Sequence, residues 1–112
     1  MMTLTKTSEL TGAALDWAVA KCENEPYIPT PTTNGIGMSF DATEYSTDWA
    51  LGGPIIEREK IELFWDSGNG RWIASNPIGT FCESGLTYLE AAMRCYVAQK
   101  FGDVVDVPLE LL

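Results

Sequence analysis

The sequence predicts an α+β domain: two helices packed on a small antiparallel sheet built around one β-hairpin, with a long ordered wrapping loop. Three observations predict it. Apolar residues recur at helical spacing in two stretches, at about residues 8–22 and 87–101. Two alternating runs flank an Asn-Gly turn between about residues 60 and 75. The 112 residues, of which 46% are hydrophobic, suffice for a single domain with its own core over residues 1–112.

The first helix is predicted over about residues 8–22. Ser8 is a suitable N-cap, because its hydroxyl can accept a hydrogen bond from the first turn. Leu10, Ala14 and Trp17 then recur at helical spacing and form part of a broad apolar face. That face is expected to pack on the core.

Residues 23–57 form a segment of different composition. The segment is rich in proline and glycine, and it carries six acidic residues but no lysine or arginine. Prolines near its start exclude a regular helix there, whereas aromatic and aliphatic residues along it can anchor it to the core. We interpret it as an ordered wrapping loop with a single helical turn, capped by Ser46 or Thr47 and stopped by Gly52-Gly53.

The hairpin, the second helix and the tail follow in that order. Trp65 and Trp72 flank the hairpin turn and are expected to pair across the strands and to belong to the core with Trp17. Thr87 and Glu90 make a capping-box pair at the start of the helix over about residues 87–101. An extended tail over residues 103–108 is expected to add an edge strand.

Composition excludes several functions. The chain has no histidine, which removes the commonest general base and metal ligand. Its formal net charge of −9 argues against direct binding to nucleic-acid phosphates, and no apolar run is long enough to span a membrane. We therefore expect a cytoplasmic protein without cofactor, metal site or catalytic residue. Three cysteines (Cys22, Cys82 and Cys95) lack metal-ligand spacing and are expected to be reduced.

The acidic segment contains the candidate site. Aromatic residues beside acids, with no positive charge in the segment, are typical of a protein-binding face. The candidate interaction surface comprises Tyr27, Tyr45, Asp48, Trp49, Gly52, Gly53, Pro54, Glu57 and Arg58. Trp49 has two interpretations, a partner contact or a buried anchor of the loop. We favour the anchor, which leaves Tyr27 and Tyr45 as the preferred surface contacts.

Four blocks of sequence resemble a known family. They are Lys6 to Gly12, Leu15 to Ala20, Asp48 to Arg58 and Ala91 to Ala98, with Gly102-Asp103 after the last. In this order and over nearly the whole chain they closely resemble the NinX family of lambdoid phages. The chain departs from the family pattern at Leu86, where the pattern has proline. The resemblance implies a small accessory protein of a phage or prophage, and it implies no activity or catalytic residue.

Three functions stay open at this point. The favoured one is a non-enzymatic module that binds a host or phage protein in the infected bacterium. The second is an acidic mimic of nucleic acid that inhibits a host DNA-binding protein. The third is a small-ligand binder or enzyme that uses Asp48, Glu57 and Glu59 near the Gly-Gly-Pro turn, as an acid pair or cation site.

Overall fold

A computed structural model describes residues 1–24, 29–31, 38–40 and 44–112 of the chain. The elements are β1 (Met2–Lys6), α1 (Gly12–Cys22), β2 (Pro29–Pro31), β3 (Met38–Phe40), α2 (Trp49–Glu59), β4 (Glu62–Asp66), β5 (Arg71–Ser75), β6 (Cys82–Gly85), α3 (Tyr88–Phe101) and β7 (Val104–Pro108). Short 3₁₀ turns at Thr7–Glu9 and Leu109–Leu111 complete the description. The α+β class predicted from the sequence is confirmed.

The described strands pair antiparallel. β4, β5 and β6 form a three-stranded sheet in that order, and Trp65 lies directly opposite Trp72 in the β4–β5 ladder. The predicted hairpin and its tryptophan pair are therefore confirmed. β7 is the predicted extended tail, and its partner is β1, a strand not predicted from the sequence. β2 and β3 form a short antiparallel pair of their own.

α3 is the central element of the molecule. It contacts α1, α2, β5, β6 and β7, and it is buried almost without interruption from Leu89 to Ala98. Thr87 Oγ1 accepts a hydrogen bond from the Glu90 amide at 3.1 Å, as the capping box predicts. Glu90 Oε1 in turn accepts from the Leu86 amide at 3.1 Å. A proline at position 86 could not donate this bond.

The first helix begins later than predicted. Residues Thr7–Glu9 form a 3₁₀ turn, and α1 runs from Gly12 to Cys22, so Ser8 does not cap it. The Thr11 hydroxyl donates to Glu90 Oε2 at 2.9 Å instead of capping α1. This bond ties the start of α1 to the start of α3.

α2 is the main correction to the predicted fold. The single turn expected to stop at Gly52-Gly53 is an eleven-residue helix that continues through both glycines and Pro54. Its cap is neither Ser46 nor Thr47 but Asp48, whose Oδ1 accepts the Ala50 amide at 2.9 Å. The predicted wrapping loop over residues 23–57 therefore contains a regular helix, and much of its remainder lies outside the described residues.

Gly52 explains why α2 tolerates this sequence. A Cβ at Gly52 would lie 2.6 Å from the Tyr45 carbonyl oxygen and 2.7 Å from Leu89 Cδ2. The helix backbone therefore packs directly on α3 and on the preceding turn, and Ile55 is buried one turn later. Packing against these groups offsets the unfavourable helix propensity of the two glycines and the proline.

Candidate interaction surface

Four aromatic rings from separate elements form a continuous row. The ring centroids of Trp49 and Tyr88 are 5.5 Å apart, those of Tyr88 and Trp72 are 4.4 Å apart, and those of Trp72 and Trp65 are 5.2 Å apart. Neighbouring rings are tilted by 47°, 59° and 65° along the row. These separations and tilts are those of favourable aromatic pairs. We call Trp49, Tyr88, Trp72 and Trp65 the aromatic row.

Both ends of the aromatic row are exposed. Trp49 is 55% exposed and Trp65 is 51% exposed, while Trp72 and Tyr88 between them are half-buried. The preferred interpretation of Trp49 as a buried anchor is therefore wrong, and so is the assignment of Trp65 to the core. Trp17, in contrast, is buried as predicted, with 8% exposure.

Regular secondary structure holds each ring of the row. Trp49 is the first residue of α2 and Tyr88 the first residue of α3. Opposite Trp72 in the β5–β6 ladder lies Gly85, where a Cβ would sit 2.6 Å from the Ala91 amide nitrogen. The missing side chain at this position lets the start of α3 approach the sheet, which brings Tyr88 against Trp72.

A cleft of about 250 Å³ opens at the Trp49 end of the row. Its walls come from the turn before α2 and from the first turn of α3. The lining residues are Ser46, Thr47, Trp49, Thr87, Tyr88 and Leu89. The cleft thus combines two aromatic rings with hydroxyl groups, a mixture suited to an apolar group that carries hydrogen-bond acceptors.

The structure separates the predicted surface residues into two groups. Asp48, Trp49, Pro54 and Glu57 are exposed, and Gly53 is half-buried. Tyr45 is only 3% exposed and Gly52 is buried, so these two residues belong to the packing under α2 and not to an exposed surface. Tyr27 lies outside the described residues.

Arg58 is engaged in a structural cluster. Its guanidinium donates to both carboxylate oxygens of Glu23, at 3.1 and 2.6 Å, and to Glu59 Oε2 at 2.9 Å. The Tyr96 hydroxyl donates to Glu23 Oε2 at 2.5 Å and accepts from Arg58 at 3.0 Å. The Arg58 hydrogen bonds lower the pKa of Glu23, whereas burial raises the pKa of Tyr96. The cluster ties the end of α1 to α2 and α3.

The candidate carboxylates do not converge. Asp48 and Glu57 are nine residues apart at the start and near the end of α2, which places them about 13 Å apart along its axis and on opposite sides. Glu59 is paired with Arg58 and accepts a weak bond from Gln99 at 3.4 Å. Among the described residues, no group of three or more His, Cys, Asp or Glu side chains is placed to hold a metal ion.

The three thiols occur in different environments. Burial raises the pKa of Cys22 and that of Cys95 to about 12, so both stay protonated near neutral pH. Cys82 is exposed on β6. All three cysteines are free.

A second concave feature lies at the opposite end of α3. It is an apolar groove of about 450 Å³ between the β1–β7 ladder and α1. Its lining residues are Met2, Leu4, Trp17, Lys21, Phe101, Val104, Val105 and Asp106. Phe101 is 45% exposed here and provides an exposed aromatic side chain remote from the aromatic row.

Together these features define a small, strongly acidic α+β protein with a row of four aromatic rings that is exposed at both ends. No helix in the described part of the chain has the length and apolarity needed to cross a membrane. A family model described as "Bacteriophage P22, NinX" matches residues 6–100. The chain therefore belongs to the NinX family, a phage protein family, as its sequence resemblance indicated. No curated protein matches the chain.

Proposed function

We propose that this phage protein is a non-enzymatic protein-binding module that engages a host or phage protein in the infected bacterium through the aromatic row. The observation that carries the proposal is the position of Trp49 and Trp65, two indoles more than half exposed at the ends of one continuous row of rings. Large exposed apolar patches on a small domain typically mark interaction sites.

The aromatic row has the properties of an interface hot spot. Tryptophan and tyrosine are enriched among the residues that dominate binding energy. The four rings already contact one another and are attached to helices and strands, so little side-chain freedom remains to be lost on binding. A partner that covers Trp49 and Trp65 would thus gain buried aromatic area at low entropic cost.

The charge of the protein indicates the kind of partner surface. A net charge of −9 favours partners with basic or mixed surfaces, and it should accelerate their association at low salt. The same charge disfavours phosphate backbones and anionic lipid surfaces. We therefore expect a protein partner, with no direct binding to nucleic acid or membrane.

The proposal is tested by capturing proteins from a lysate of infected cells on three immobilised forms of this protein. The parent chain, Trp65→Ala and the control Phe101→Ala are immobilised at equal density, at low and at high salt. Phe101 is a matched control because it is an aromatic side chain of similar exposure outside the row. We expect one protein to be retained by the parent and by Phe101→Ala, and to be lost with Trp65→Ala.

Two results would refute the proposal. One is the absence of any specifically retained protein at either salt concentration. The other is retention of the same proteins by all three forms, which would mean that the aromatic row does not contribute to binding. Circular dichroism melting of each variant confirms that the comparison is made between folded proteins.

A further inference from the structure

The proposed function does not say which kind of partner segment is bound. The geometry and charge of the aromatic row narrow that choice. Resting on that proposed function, we propose that the aromatic row binds an extended, proline-containing segment of the partner that carries a basic residue at the Trp49 end. The dimensions of the row, the donors at its ring edges and the charge at one end support this assignment.

The length of the row fits a polyproline II helix. The three centroid separations of 5.5, 4.4 and 5.2 Å give the row a length of at most about 15 Å. A polyproline II helix rises about 3.1 Å per residue, so the row can cover up to about five residues of such a segment. Aromatic-lined surfaces are a recurring receptor for proline-rich segments, whose preformed helix loses little entropy on binding.

The tilt between neighbouring rings provides the complementary shape. Rings that meet at 47° to 65° present an uneven surface, whereas stacked parallel rings would present a flat one. Pyrrolidine rings are compact and apolar, and they project from a polyproline II helix with a repeat of three residues. Prolines three residues apart therefore lie about 9 Å apart on one side of the segment, so two of them can contact the row along its length.

Hydrogen-bond donors lie beside the apolar rings. The carbonyl groups of a polyproline II segment have no internal partners, so a receptor must satisfy those that it covers. Indole N–H groups of Trp49 and Trp65 and the hydroxyl of Tyr88 are donors of this kind. Thr47 and Thr87 add hydroxyls in the cleft at the Trp49 end.

Charge distinguishes the two ends of the row. Asp48 precedes Trp49 and is exposed. Among the described contacts only its Oδ1 is engaged, in capping α2. Glu44, four residues earlier, is also exposed. At the other end, Asp66 follows Trp65 in β4, and successive side chains of a strand point to opposite faces of the sheet. Its carboxylate, which accepts from the Gly68 amide and the Asn69 side chain, therefore faces away from the row. A basic residue of the partner therefore pairs with the Trp49 end.

Nuclear magnetic resonance of the indole N–H groups tests this assignment. The uniformly ¹⁵N-labelled full chain is titrated with three synthetic peptides: an arginine followed by eight prolines, eight prolines alone, and an arginine followed by four Gly-Ser repeats. We expect the first peptide to shift the Trp49 and Trp65 resonances without shifting that of Trp17. The second should bind several-fold more weakly, and the third should not shift either resonance.

Variants locate the binding surface. Trp49→Leu and Trp65→Leu should each weaken binding of the arginine-proline peptide about tenfold, the loss expected from truncating an interface aromatic residue. Phe101→Leu should leave the affinity unchanged. Because Trp49 and Trp65 are both more than half exposed, these variants are expected to fold, which their dispersed amide spectra would confirm.

Three outcomes would overturn the inference: equal binding of the Gly-Ser peptide, loss of binding in Phe101→Leu, or no shift with any peptide at millimolar concentration. The first would show that charge alone drives binding, and the second would place the site in the apolar groove.

If capture of a partner depends on Trp65 while no proline peptide binds, this inference fails and the proposed function stands. If the peptide binds but no partner depends on the row, the proposed function fails.

Discussion

Two adjacent glycines in α2 are expected to respond in opposite directions to the same substitution. Gly52→Ala adds a Cβ that would lie 2.6 Å from the Tyr45 carbonyl oxygen and 2.7 Å from Leu89 Cδ2. Leu89 can change rotamer, but a backbone carbonyl can move only with its chain. Gly53→Ala meets Trp49 Cε3 at 3.7 Å, an ordinary van der Waals distance.

The magnitudes follow from two opposing effects. Replacing a helix-interior glycine by alanine gains about 1 kcal/mol of helix propensity. Overpacking typically costs about 1–3 kcal/mol. Because an added Cβ would make two close contacts at Gly52, we expect the cost for Gly52→Ala to be near the upper value. Gly52→Ala should therefore lose about 2 kcal/mol net, and Gly53→Ala should gain up to about 1 kcal/mol. At about 4 °C per kcal/mol for a domain of this size, the two melting temperatures should differ by roughly 12 °C.

Urea denaturation followed by tryptophan fluorescence and by circular dichroism measures both free energies of unfolding. Similar m values for the parent and the variants would show that only stability has changed. If Gly52→Ala were as stable as Gly53→Ala, the close packing of α2 on the Tyr45 turn would be refuted. The explanation of how α2 tolerates its glycines would then fail as well.

Three further predictions concern other sites. Glu23→Gln should destabilise the protein by roughly 1 kcal/mol at pH 7, the upper range for exposed pairs. The pKa of Glu23 is lowered in the folded state from 4.5, so this difference should be full above pH 4.5 and should vanish as the pH falls through the lowered pKa. Melting curves of both forms over a series of pH values from 7 downwards would test it. A thiol reagent at pH 8 should modify the exposed Cys82 quickly, the half-buried Cys22 more slowly, and the buried Cys95 only after unfolding. Equally rapid reaction of Cys82 and Cys95 in the native protein would contradict the burial of Cys95. Trp49→Ala should lower the free energy of unfolding by only about 1–2 kcal/mol, because the half-exposed ring gives up one aromatic contact and a partly buried surface. A melting temperature lowered by more than about 12 °C would contradict that exposure.

Local signals in the sequence predicted the elements that depend on local contacts. The hairpin follows from its turn and from alternation, and α3 follows from the Thr87 cap and the apolar stripe. β6 has no such signal, because its Cys-Glu-Ser-Gly sequence has low strand propensity and gains its structure by pairing with β5. β1 was missed for a similar reason, since its partner strand lies about a hundred residues away.

α2 shows where composition misleads. Two glycines and a proline predict a break because intrinsic helix propensity at these residues is unfavourable by about 1 kcal/mol for each glycine and about 3 for proline. What offsets this cost is tertiary: the close approach at Gly52 and the burial of Ile55. No pattern along the chain encodes the distance from Gly52 to Leu89.

The aromatic row could be predicted only in part. Cross-strand pairing predicted the contact of Trp65 with Trp72 from the hairpin register. The contacts of Tyr88 depend on how closely the start of α3 approaches both the sheet and α2, which is set by Gly85 and Gly52. Candidate residues chosen from a single stretch of sequence therefore included Trp49 but missed its neighbours from β4, β5 and α3.

The β1–β7 ladder affects how the chain acquires its structure during synthesis. Lys6 pairs with Val104 and Met2 with Pro108, so β1 leaves the ribosome about a hundred residues before its partner strand. At about 5–20 residues per second, β1 remains without that partner for roughly 5–20 seconds. Closing so large a loop is also entropically unfavourable until the intervening helices and sheet have formed. We therefore expect the ladder to form after the helices and strands that lie between β1 and β7, and a nascent chain stalled before β7 to expose an unpaired strand and the surface that β7 would cover.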